Sequence, residues 1–327
     1  MRRWLNEHPL ATSAVAVGIA GVVVLVIARA TGADAVGHAF EGFDAPWVAL
    51  LAGASLLTYP AYMLAYRSIA GIHGHGPMAL PLVARLVVAG FGPFSLCGGF
   101  GIDQQALRAV DQDERSTRVR VIALGVLEWA VLAPLTCVVA IVLLIQGENV
   151  MRSLLWPWVI AVPLGFAFGL WASSSGRIER ISNLGGKRRE WLAQPLEGVG
   201  VLHQLIREPG QHIMAWLGTM LYWVADIASF YGALRLFGLQ PDVGRVIIAY
   251  ATGYAATRRS LPLGGAGITE FLMTYALYWV RLPLAPSLAA VLAYRVFNLV
   301  IVAAPALIAH QQLRPLLNRR PQTSDQP

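Results

Sequence analysis

Two glycine-rich strings interrupt an otherwise apolar chain: Gly98-Gly99-Phe100-Gly101-Ile102 and Gly264-Gly265-Ala266-Gly267-Ile268. Each follows a proline, Pro93 or Pro262, and ends in a polar pair, Asp103-Gln104 or Thr269-Glu270. The second copy begins 166 residues after the first, half of a 327-residue chain. Glycines followed by a polar pair read as a break and a restarted helix, whose free N–H groups and dipole attract an anion. In a membrane protein, matching Gly/Pro-interrupted segments in the two halves point to a binding site at a repeat interface.

Eight ionisable side chains share these apolar surroundings: Asp103, Glu128, Asp226 and Glu270, with Arg85, Arg258, Arg259 and Arg295. Each costs at least about 2.5–3.5 kcal/mol at the bilayer centre, so each is expected to face the protein interior. The numbers of acids and bases are equal, which allows internal ion pairing as well as ligand binding. Glu128 and Arg295 are near-equivalents under the 166-residue offset. Each lies about eight residues into its span, roughly 12 Å below its own surface. They can pair directly, through Glu270, or through a ligand. Arg258 and Arg259 precede Ser260-Leu261-Pro262, where the first copy has only Gly92 and Pro93. Two adjacent guanidiniums beside a glycine-rich turn and a helix start offer bidentate donors to a phosphate; pairing with Glu270 or Asp226 is the structural alternative.

The elements that must position these groups follow from composition. Hydrophobic residues make up 56% of the chain and charged residues only 13%, against about 45–50% and about 25% in soluble proteins; mean hydropathy is +0.57. Apolar runs long enough to cross about 30 Å of hydrocarbon lie near 10–30, 46–66, 120–146, 153–174, 213–237 and 286–310. The expected fold is all-α and polytopic: six full spans plus two re-entrant hairpins, about 78–110 and 243–280, broken by the glycine strings. Residues 1–311 are expected to form one transmembrane domain, with repeat 1 over about 46–146, repeat 2 over about 213–310 and a polar tail at 312–327. The first span follows Met1-Arg2-Arg3 and ends near the small-residue site Ala28-Arg29-Ala30, but it is longer than a signal-peptide core.

Positive charge orients the spans. Residues 31–45 carry Asp34, Glu41 and Asp44 without Lys or Arg and should face outward. Residues 175–211 carry Arg177, Arg180, Lys187, Arg188, Arg189 and Arg207 and should be cytoplasmic, as should Arg108, Arg115, Arg118, Arg120, Arg314, Arg319 and Arg320. Both termini are then cytoplasmic, and the two halves become inverted copies with hairpins entering from opposite faces.

Other signals exclude functions. His73 and His75 flank Gly74 without further ligands nearby, so no metal or cofactor is expected. Cys97 and Cys137 sit in apolar segments, as small core residues do. The basic loop and tail suit topology and anionic lipid and not nucleic acid, and no GxSxG, HExxH or P-loop string occurs. Trp4, Trp47, Trp156, Trp158 and Trp279 lie near span ends, as interface anchors do.

The order Asp226, Ala249-Tyr250, Pro262-Leu263-Gly264-Gly265-Ala266-Gly267-Ile268-Thr269-Glu270, then Leu292-Ala293-Tyr294-Arg295 resembles the transmembrane region of lysylphosphatidylglycerol synthases, the flippase-like family. Leu263 stands where that family's Pro-Gly junction is expected, and Gly98 to Asp103 replace its Pro-x-Arg-x-Gly-Glu pattern. The resemblance implies a plasma-membrane protein that moves a phospholipid or lipid-linked head group between leaflets. Within that expectation the charge map supplies the site: the head-group phosphate rests against Arg258, Arg259, Arg295 and the helix starts after the breaks at Gly98, Gly99, Gly101, Gly264, Gly265 and Gly267, while Glu270, Asp226, Glu128 and Asp103 hold a cationic head group, a proton or a coupling ion. Two-domain members add a cytoplasmic synthase domain; the sequence given ends at Pro327 without room for one, so no enzymatic activity is expected. The alternatives are a regulatory or scaffolding membrane protein and an intramembrane lipid-phosphate phosphatase. Against the phosphatase, the chain has no ExxxE acid pair and no Pro-Gly-x-Ser-Arg-Ser string. Oligomeric state is not legible.

Overall fold

Inside hydrocarbon every backbone N–H and C=O must be satisfied within its own segment, and the apolar runs of this chain satisfy theirs as helices. The computed structural model describes residues 44–72, 78–91, 114–174, 176–179, 187–255 and 265–317, with isolated positions 18, 22, 29, 101, 103, 104 and 107. Among the described residues there are helices and turns and no strands. In chain order the helices are α1 (Ala45–Ala70), α2 (Leu80–Phe91), α3 (Glu114–Ile145), α4 (Arg152–Ala172) and α5 (Lys187–Arg207). They continue with α6 (Ile213–Leu236), α7 (Val243–Tyr250), α8 (Ile268–Trp279), α9 (Leu284–Arg295) and α10 (Ala303–Leu317). Two π-helical turns interrupt this series, Ala251–Ala255 after α7 and Val296–Ile301 between α9 and α10.

Five helical stretches are long and apolar enough to cross a membrane: Ala45–Ala70, Ser116–Ile145, Arg152–Ala172, Ile213–Leu236 and Leu284–Leu313. They match five of the six expected spans. The sixth, 10–30, falls outside the described residues except for positions 18, 22 and 29, which are helical.

The core is organised on α1 and α6, the most extensively packed helix pair among the described residues. They run antiparallel, because Gly218 faces Ala61 and Ala65 whereas Gly232 faces Trp47 and Leu51. A Cβ at Gly218 would stand 2.6 Å from the Ala65 nitrogen, so glycine there is what lets the backbones meet. Small residues permit such approach in lipid, where dispersion and hydrogen bonds replace hydrophobic drive between helices. Ser229 Oγ donates to the Leu51 carbonyl at 3.0 Å and lies 2.6 Å from Ser55 Oγ. By contrast α4 is peripheral, burying only Leu154, Leu155 and Ala172 and exposing Trp156, Ile160, Leu164 and Phe168.

Between these spans lie helices too short to cross. At 12 residues α2 and α8 are each about 18 Å long, against about 30 Å of hydrocarbon. Phe91, at the end of α2, packs on Tyr59 and Tyr62 in the middle of α1. Asp103 and Leu107 stand beside Ile69, Ala70 and Arg120, near the start of α3. The second pair of arms meets where Gly253 lies against Met273, a Cβ there falling 2.6 Å from the Met273 Cα. Its outer ends attach to the α3–α4 connector: Arg245 pairs with Glu148 at 2.5 Å, and the Met151 N–H donates to the Trp279 carbonyl at 3.2 Å. The first set of short segments therefore opens beside the start of α3 and the second beside its end. The turns expected at their tips, 92–100 and 256–264, lie outside the described residues.

Candidate functional site

Polar atoms inside the bundle gather around α6, α7, α8 and α9. Asp226, at mid-length in α6 and fully buried, accepts a hydrogen bond from Tyr250 at Oδ2 (2.6 Å) and from Tyr294 at Oδ1 (2.7 Å). Tyr250 ends α7 and Tyr294 nearly ends α9, and a π-helical turn follows each helix. Such turns occur often at functional sites because the extra residue redirects the side chains beside it. Tyr254, one turn beyond Tyr250, packs against both phenols with ring centroids 5.3 and 5.4 Å away.

Next to Tyr294 in the chain, Arg295 forms a buried ion pair. The Arg295 Nε–H donates to Glu270 Oε1 at 2.7 Å, with side-chain exposures of 6% and 1%. The other carboxylate oxygen, Oε2, accepts from the Gly267 N–H at 2.6 Å. Glu270 occupies the third position of α8, so its carboxylate reaches back to the start of its own helix. That geometry needs glycine: Gly265 and Gly267 adopt φ of 71° and 83°, a region that costs L-residues with a Cβ. One carboxylate thus satisfies an arginine and a helix N-terminus, both donors of the kind that bind anions.

The first half presents a second carboxylate. Glu128, on α3, accepts from the Tyr62 phenol at 2.5 Å, and its backbone carbonyl accepts from the Trp223 indole at 2.9 Å. A row of buried rings joins the two acids: Tyr62 meets Tyr222 (5.1 Å), Tyr222 meets Trp223 (4.6 Å), and Trp223 meets Tyr250 (6.0 Å). The edge-on contacts of Tyr62 with Tyr222 and of Trp223 with Tyr250 suit the ring quadrupoles, and the Tyr222–Trp223 pair between them is tilted.

Four of the expected intramembrane acids are buried, Asp103, Glu128, Asp226 and Glu270, as is Arg295. Of the pairings the sequence left open for Arg295 and Glu128, the structure gives Arg295 to Glu270 and Glu128 to the Tyr62 phenol. Asp103 lies apart from the Asp226 group, in the small cavity lined by Tyr66 and Arg120. Gly101 is helical and half-buried, and Gly265 and Gly267 are buried in the turn before α8. Gly98, Gly99, Gly264, Arg258 and Arg259 lie outside the described residues. One expectation is corrected: Arg85 is exposed on α2. It sits in the second turn of α2, where a long side chain can lay its stem on apolar surface and carry its charge outward. Cys137 is a free buried thiol, and no group of three or more potential metal ligands occurs among the described residues.

Sequence reasoning missed the tyrosines as a set. Tyr62, Tyr250, Tyr254 and Tyr294 look like ordinary amphipathic residues in an apolar run. The available signal was spacing, Tyr62/Tyr66 and Tyr250/Tyr254 both standing one turn apart on a helix face.

Compared with known proteins, the chain matches the family model described as the lysylphosphatidylglycerol synthase TM region over residues 13–306. No curated protein matches it.

Proposed function

Because this chain belongs to the family of the lysylphosphatidylglycerol synthase TM region, a family of integral membrane proteins connected to lipids, we propose that it translocates an anionic phospholipid or lipid-linked head group between leaflets. The observation that carries the reading is the Glu270–Arg295 pair at the start of α8. A buried arginine and a helix N-terminus converge on one carboxylate, and a phosphate satisfies the same two donors. Glu270 then acts as an internal stand-in for the substrate. Binding of the head group displaces the carboxylate, and departure of the head group lets it return, so the empty site never leaves an intramembrane arginine uncompensated. Arg258 and Arg259, assigned from sequence, precede the same break and add charge for the phosphate. Asp226, Glu128 and Asp103 serve the cationic part of a head group or a coupling ion.

Inverted repeats supply the alternation. Under the 166-residue offset α1 corresponds to α6, α2 to α7, and α3 to α9 with α10. The antiparallel contact of α1 with α6 supports this reading, as do the short arms that open at opposite ends of α3. So does the packing of α2 on α10 alongside that of α7 on α3. On this reading the short arms are re-entrant hairpins, and rocking of one repeat against the other switches access. The protein sits in the plasma membrane with both termini cytoplasmic and acts without covalent chemistry on the lipid.

Native mass spectrometry of the purified protein tests the substrate class. An anionic phospholipid should be retained by the wild type and lost from the double variants Glu270→Met/Arg295→Met and Arg258→Gln/Arg259→Gln. Retention of the same lipids by all three proteins would remove the phosphate site from the account.

A further inference from the structure

A cavity of about 640 Å³ lies outside the polar network, between α3 and α4, closed at one end by Val199 and Leu202 of α5. Ala161, Gly165 and Gly169 line it from α4 and Gly125, Ala130 and Ala133 from α3. Small residues at this spacing ordinarily let membrane helices close on each other. Along this stretch a Cβ built at Gly165 meets nothing within 4 Å, and Trp129 and Trp158 stack across the cleft with centroids 6.4 Å apart and ring planes 21° from parallel. The Trp158 indole N–H donates to Thr252 Oγ1 at 3.1 Å, in the π-helical turn that ends the α7 arm. The cleft therefore joins the broken arm at one end and opens sideways along a span for the rest of its length.

We propose that this cleft holds one acyl chain of the lipid whose head group occupies the Glu270–Arg295 site, an inference that rests on the translocator reading. Its dimensions select the occupant. From Pro157 to Leu170 it runs about 20 Å at 1.5 Å per residue, which leaves a cross-section of roughly 30 Å². A helix 10–12 Å across needs roughly 80–110 Å², so the cleft cannot enclose a partner helix but can enclose an extended hydrocarbon chain. The lining is apolar, and Trp158 hydrogen-bonds the broken arm at Thr252, where the chain would meet its polar end. An acyl chain held here moves with α3 and α4, so the lipid is tethered while its head group crosses.

Gly165 makes the test clean, because a Cβ built there meets nothing within 4 Å. Gly165→Leu fills the cleft without moving backbone. The full chain is reconstituted in vesicles containing phosphatidylglycerol with a diazirine in one acyl chain, and adducts are mapped by mass spectrometry. In the wild type, adducts should concentrate on the cleft residues Val126, Val162 and Phe166 at several times the yield on lipid-facing Leu164 and Phe168. In Gly165→Leu the cleft adducts should fall at least tenfold and lipid redistribution should slow, with the melting temperature unchanged or raised. Equal labelling of cleft and lipid-facing positions, or unchanged labelling in Gly165→Leu, would each overturn the proposal. The two readings fail separately. Cleft labelling by a wild type that moves no lipid removes the translocator and keeps the slot, whereas redistribution without cleft labelling does the reverse.

Discussion

Glu270 divides its two oxygens between Arg295 and the Gly267 N–H, and that division sets the energetics of the site. Removing one partner of a buried pair leaves an uncompensated charge, typically a loss of about 3–5 kcal/mol, whereas replacing both with apolar residues of similar size is often neutral. Arg295→Met alone should therefore lower the melting temperature strongly, and adding Glu270→Met should recover most of it; equal or additive losses would contradict the pairing. The Asp226 phenols make a milder case. Tyr250→Phe deletes a hydrogen bond to a charged acceptor, worth about 1.5–3 kcal/mol, while Tyr278→Phe, on a half-exposed residue of α8, should change thermal stability little. These acids and Arg295 were legible in the sequence because charge in an apolar run has few explanations. The Arg295–Glu270 contact was among the pairings the sequence left open, but the phenols were not legible as partners, since a tyrosine announces no pairing and the Tyr62–Glu128 contact joins residues distant in the chain.

Helix contacts turn on single glycines. At Gly218 and Gly253 an added Cβ meets backbone atoms at 2.6 Å, and backbone cannot yield as a flexible side chain can. Gly218→Ala should push α1 from α6 and Gly253→Ala should separate the α7 arm from α8, each costing about 1–3 kcal/mol as overpacking does. Gly165→Ala, in open space, should leave the melting temperature where it is; an equal loss at all three positions would show that the close approaches carry no special weight. At this scale the sequence was informative about length: five spans fall where apolar runs exceed the bilayer thickness, and the second glycine string marks where α8 begins. The π-helical turns after Tyr250 and Arg295 were hidden, because one extra residue per turn leaves composition and average periodicity unchanged. Arg85 was misjudged because depth along a helix does not say which face a side chain takes.

The whole molecule is read as two halves of opposite orientation. Single cysteines near Asp242 and in the 31–45 loop should react with an impermeant maleimide from outside, and cysteines near Arg115 and Lys187 only after permeabilisation. Reaction of the Asp242 and Lys187 positions from the same side would contradict inversion. The 166-residue offset between the glycine strings is the sequence signal behind this reading, while the antiparallel seating of α1 on α6 depends on contacts between Gly218, Ala65, Gly232 and Leu51 that no local pattern encodes. Translocation itself is measured most directly in proteoliposomes carrying head-group-labelled phosphatidylglycerol, by following the fraction that an external, membrane-impermeant quencher can reach. The account predicts that wild-type protein moves label between leaflets well above empty vesicles, and that the folded Glu270→Met/Arg295→Met variant returns the rate to that background. A wild type indistinguishable from empty vesicles across anionic and zwitterionic lipids, or a double variant as fast as the wild type, would contradict it.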